Sequence, residues 1–144
     1  MKNTKPTPGE ALRKAHRALF KDMANLEAAT RDADATDGRV WRHELEQARS
    51  LLTRHFLLEE QDGYMANVLA REPRLEHAVD QLLKEHHQLL ASLDTLLDAV
   101  RLMPAVKEGF RSEVRAWING VKAHESRENG LVEDAFNLDT GAED

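Results

Sequence analysis

Apolar residues recur every three or four positions along most of the chain, and clusters of turn-forming residues interrupt that rhythm. Thr7-Pro8-Gly9-Glu10 predicts the first helix start: Thr7 caps, Pro8 takes the first helical position and Glu10 reaches back to complete a capping box. Leu12, His16, Leu19, Phe20, Met23 and Leu26 follow at helical spacing, until Asp32-Ala33-Asp34-Ala35-Thr36-Asp37-Gly38 breaks the pattern. A second stripe through Val40, Ala48, Leu51, Leu52, His55, Glu59, Met65 and Leu69 predicts one unbroken helix. Glu72-Pro73 marks the next boundary, because the residue before proline avoids the α region whereas proline itself suits a first helical turn. Leu75, Val79, Leu82, His86, Leu89, Leu93, Leu96 and Val100 trace the third helix, which ends near Met103-Pro104. Phe110, Val114, Trp117, Val121, His124, Glu128, Leu131 and Ala135 trace the fourth.

Strand-like alternation is absent from the sequence, and residues 137–144 read as a polar tail, as does the start of the chain. The expectation is an all-α fold: one domain over 1–144, core about 8–136, built as an antiparallel up-down-up-down four-helix bundle.

Within that pattern the unusual feature is histidine in the apolar stripes. His55-Phe56-Leu57-Leu58-Glu59 and His124-Glu125-Ser126-Arg127-Glu128 are two His-x-x-x-Glu pentads, and residues four apart share a helix face. Each pentad therefore aims an imidazole and a carboxylate the same way. His16 and His86 stand alone on the other two stripes. Measured from one end of the bundle at 1.5 Å per residue, His16, His55, His86 and His124 lie at roughly 12, 22, 20 and 18 Å, which puts them near one level. In that arrangement the second and fourth helices are parallel and diagonally opposite, so Glu59 and Glu128 approach from opposite corners and can bridge two metal ions.

Composition narrows the chemistry. A net charge of −6 and a pI near 5.6 argue against nucleic acid as a partner. With no cysteine, only histidine and carboxylate remain as strong metal ligands. No stretch has the run of about 18 apolar residues that a membrane span needs, and the start lacks the apolar core of a secretory signal, so the expectation is a soluble, cytoplasmic protein. Taken singly, a buried histidine is most often a satisfied core residue, and a His-x-x-x-Glu pair a surface ion pair. Burying four imidazoles and two glutamates together without a cation would cost several kcal/mol per charge, which favours a metal site.

The order His, His-x-x-x-Glu, Glu-His, His-x-x-x-Glu, with each piece on its own helix, resembles hemerythrin and the wider His-His-Glu cation-binding family over nearly the whole chain. The resemblance implies two iron ions with oxo or hydroxo and carboxylate bridges. His16 and His55 would hold one iron, His86 and His124 the other, and Glu59 and Glu128 would bridge them. It also implies binding of dioxygen or a related small oxidant, for sensing, storage or scavenging. The alternatives are enzyme-like handling of hydrogen peroxide or nitric oxide, and an iron-gated regulatory module.

The chain departs from the oxygen carriers at Leu82, where they have a histidine, so one iron is a histidine short and open to exogenous ligands. Their second bridging acid is an aspartate five residues on, against Glu128 at four. His43, His77 and His87 read as surface residues, and His87 and His77 are rotated about 100° and 180° from His86. Leu19, Phe20, Leu51, Leu52, Leu89, Leu90, Trp117 and Val121 would form an apolar roof suited to a small uncharged gas or peroxide. Tyr64 reads as a core or interface residue that reaches the metals only if the helix is distorted near Gly63, and Asp62 as a residue orienting an imidazole N–H.

Overall fold

The computed structural model describes residues 7–61 and 64–143, with the backbone course alone for Pro8, Tyr64 and residues 137–143. The helices are α1 (Pro8–Asp22), α2 (Ala24–Ala29), α3 (Gly38–Gln61), α4 (Tyr64–Arg71), α5 (Glu76–Val100) and α6 (Glu108–Glu143), with a 3-10 turn at Pro73–Leu75 before α5. The fold is all-helical, and none of these helices is long and apolar enough to cross a membrane.

The capping box forms as the sequence requires. The Glu10 N–H donates to Thr7 Oγ1 at 3.2 Å, and the Thr7 N–H donates to Glu10 Oε2 at 3.3 Å. The boundary at Glu72-Pro73 is also where a helix starts anew.

Two expectations need correction. The first helix divides at Met23, whose ψ of 2° leaves helical geometry, although no glycine or proline marks the place. The second stripe falls on α3 and α4, between which residues 62 and 63 lie outside the described residues. Residues 137–143 continue α6 where a polar tail was expected. Extending an existing helix costs far less than nucleating one, and this stretch has no proline to stop it.

α3 packs on α5, α5 on α6, and α1 against both α3 and α6. At one end, the α2–α3 and α5–α6 connections lie side by side. The Val106 N–H donates to Thr36 O at 2.8 Å, and a Cβ on Gly38 would collide with the Met103 carbonyl oxygen, so only glycine fits there. The Trp41 indole N–H donates to Ala35 O at 2.7 Å and ties this loop to α3.

Two apolar clusters result. One contains Trp41, Leu45, Leu52, Leu93, Val114 and Val121; the other contains Leu12, Val68, Val79, Leu82, Val132 and Ala135. Each large apolar side chain so buried contributes about 1.5–3 kcal/mol. On α1 the residue between the clusters is His16, on α5 His86, and on α6 the stretch from His124 to Glu128. The fold thus sets a layer of ionisable groups between two apolar layers.

Candidate metal centre

Four imidazoles and three carboxylates fill that layer: His16, His55, Glu59, His86, His124, Glu125 and Glu128, each at least 92% shielded from solvent, with His55 the most accessible at 8%. All six residues expected from the sequence come together, and Glu125 joins them. Their ligand atoms form two groups that could each hold a metal ion: His16, His55, Glu59 and Glu125, and Glu59, His86, His124 and Glu128.

Glu59 belongs to both groups because its two oxygens divide between them. Oε2 stands 3.3 Å from Nε2 of both His16 and His55, while Oε1 stands 3.4 Å from His86 Nε2. Glu128 belongs to the second group and approaches the first. Its Oε1 accepts from His86 Nε2 at 3.0 Å and lies against His124 Nε2, and its Oε2 is 3.7 Å from His16 Nε2. Glu125 serves one side, with Oε2 against His16 Nε2 and 3.2 Å from His55 Nε2. All four Nε2 atoms face the carboxylates.

Further out, two carboxylates stand behind the rings. His86 Nδ1 is 3.1 Å from Glu60 Oε2, and His124 Nδ1 is 2.7 Å from Glu85 Oε1, which also accepts from Arg127 at 2.7 Å. Phe56 stacks flat on His86, with centroids 3.8 Å apart and planes at 7°, and meets His124 edge-on at 5.6 Å.

The electrostatics are those of a cluster that holds charge by mutual pairing. Burial alone would depress every imidazole, but hydrogen bonds to Glu125, Glu128 and Glu59 push His16 up to about 11. For His55, burial is overcome by Glu125 and Glu59, giving about 9. For His86 it is overcome by Glu128 and Glu59, giving about 10. His124 is raised in the same way by Glu128. Burial would raise Glu125 and Glu128, yet His16 and His55 hold the first below the usual carboxylate range, and His124, His16 and His86 hold the second there. A cation can replace the protons that perform this neutralisation.

The donor set fits a cation on a further ground. Glu59 Oε1 and Glu125 Oε1 are buried without a hydrogen-bond partner, a state that costs about 1–3 kcal/mol per group. Imidazole nitrogen with carboxylate oxygen suits iron, manganese or zinc.

Sequence reasoning missed Glu125, Glu60 and Glu85. A signal for Glu125 existed: Ile118 and Val132 lie seven residues to either side of it, and the buried positions of α6 run as doublets, 117/118, 124/125 and 131/132. Glu60 and Glu85 follow and precede ligand-bearing positions on faces that look solvated, and nothing in the spacing distinguishes them. Asp62 lies outside the described residues, as does the side chain of Tyr64, so the roles expected of them go undescribed. His43, His77 and His87 are exposed.

The model of the hemerythrin HHE cation binding domain matches residues 7–135. Neither the curated proteins nor the solved structures yield a match.

Proposed function

This chain belongs to the hemerythrin HHE cation-binding domain family, and from that premise we propose that it is a non-haem di-iron protein that binds dioxygen or a related small oxidant in order to sense, store or scavenge it. The carrying observation is Glu59, whose two oxygens serve two separate groups of ligands. His16, His55 and Glu125 would hold one iron, His86 and His124 the other, and Glu59 and Glu128 would span both. Four helical arms, alternating in direction, would present these ligands inward. Iron there supplies one-electron redox steps and affinity for small oxidants.

The protein's own groups support a small uncharged ligand. Leu19, Leu52, Trp117 and Val121 are buried above the layer, Phe20, Leu51, Leu89 and Leu90 pack against them, and Phe56 closes over three imidazoles. None of these side chains offers an organic substrate an ionic grip. Leu82 is buried in the other cluster, one turn before His86, and supplies no ligand to the His86/His124 side.

Glu125 favours a second reading, the turnover of peroxide or nitric oxide. A third buried carboxylate stabilises the more highly charged ferric state by direct Coulomb attraction in a low-dielectric interior, and so works against reversible oxygen carriage. Metal analysis with an anaerobic-to-aerobic optical titration separates the readings. A persistent oxy spectrum supports oxygen binding, whereas immediate conversion to a ferric spectrum with consumption of added peroxide supports turnover. Absence of bound iron after anaerobic reconstitution contradicts both.

A further inference from the structure

We propose that Glu60 and Glu85 are positioning residues for the His86/His124 side of the centre, adding negative charge from behind its imidazoles to that of Glu128 and Glu59. The proposal rests on the dinuclear reading above and assigns roles within it.

Among the described residues, carboxylates stand behind both imidazoles of this side. Glu60 stands on the outer nitrogen of His86 and Glu85 on that of His124, at 3.1 and 2.7 Å. On the other side, His16 Nδ1 is buried without a hydrogen-bond partner. A carboxylate behind an imidazole requires the proton on Nδ1. That fixes the tautomer, turns the Nε2 lone pair inward and makes the ring a stronger donor. His86 and His124 both receive this treatment, on the side whose carboxylates are Glu128 and the shared Glu59.

Glu85 is itself held. Arg127 donates to it through Nε at 3.3 Å and through its terminal nitrogen at 2.7 Å. The chain Arg127–Glu85–His124 therefore runs from a half-exposed guanidinium to a fully buried ring. The carboxylates of Glu60 and Glu85 are 33% and 25% exposed, at the rim of the core, so replacing them leaves the packed interior intact.

The test is anaerobic titration of the full chain with Fe(II) and, separately, with Co(II), whose visible bands report coordination number and geometry. The proteins are the wild type, Glu60→Ala, Glu85→Ala, Glu60→Gln and Glu85→Gln. Each alanine variant should bind one of the two ions about 10- to 100-fold more weakly, with the other ion unaffected. Each glutamine variant should recover much of that affinity, because its amide oxygen still accepts the Nδ1 proton. Having lost the negative charge, it should show a raised potential for one of the two irons. A purely structural role would move both ions together and leave the potentials alone. Wild-type affinity for both ions, with unchanged Co(II) bands, in both alanine variants would overturn the proposal. Should the wild type take up a single ion, the dinuclear reading fails, and the positioning role then stands only if Glu85→Ala weakens that ion.

Discussion

The two pentads share one spacing and differ at the residue after the histidine. In α3 that residue is Phe56, 1% exposed, which stacks on His86 and touches His55 and His124. In α6 it is Glu125, also 1% exposed, which sits on His16 and His55. The next two positions are exposed in both helices, as Leu57 and Leu58 or as Ser126 and Arg127. The buried arc of each helix is thus wide enough to admit the position 100° from the ligand as well as the ligand itself. One helix uses it to shut the centre off from water, and the other to add a negative charge.

The largest effect should come from the carboxylates common to the two pentads. Replacing Glu59 or Glu128 with Ala removes the group that spans both sides, and bound iron should fall from about two toward one per chain by metal analysis. Glu125→Ala should be milder, weakening the His16/His55 side alone. Equal losses in all three variants would erase the distinction between shared and one-sided carboxylates.

Phe56→Ala removes a buried ring and its stacking on His86, and should cost about 3–5 kcal/mol of stability in denaturant unfolding. Iron removal is the companion experiment. Binding to the native state alone adds about 4 kcal/mol at a thousandfold excess over the dissociation constant, so chelation should lower Tm. An unchanged Tm after verified iron removal would mean that the protonated cluster holds the layer as well as the metal does.

A pH series separates the two modes of neutralisation. The raised imidazoles contribute apo stability that is fully present below their ordinary value near 6.5 and is lost as pH rises through about 9 to 11. The lowered Glu125 and Glu128 contribute stability present above about 4.5 and lost on acidification. Apo Tm should therefore fall between pH 6.5 and 9. The gain on adding iron should widen over the same range, because metal displaces the imidazole protons. A gain that shrinks with rising pH would contradict the account.

Leu82→His should act on kinetics more than on stability. A histidine one turn before His86 can reach the same iron, so autoxidation and peroxide turnover should slow in stopped-flow spectra, while His87→Ala, on an exposed face, changes little. The reverse outcome would put α5 in the wrong register.

Most of the helical course was legible because burial imposes a period of 3.6 that survives even where a helix divides, as at Met23 between α1 and α2. For the same reason that division was not: Leu26 keeps the rhythm of α1 although it belongs to α2. The six inward residues were legible because imidazole and carboxylate are conspicuous in an apolar stripe. Glu125 was hidden by its neighbour, since one stepwise trace through His124 and Glu128 already accounts for the helix, and a parallel trace through Ile118, Glu125 and Val132 is seen only if the face is taken as broad. Glu60 and Glu85 act across helices, by contacts that no spacing within one helix encodes.

The central claim is a centre of two irons, and counting them is its most direct test. Wild-type protein reconstituted anaerobically with excess Fe(II), freed of loose metal and assayed for iron and protein, should retain close to two irons per chain. Retention of one or none would contradict the account.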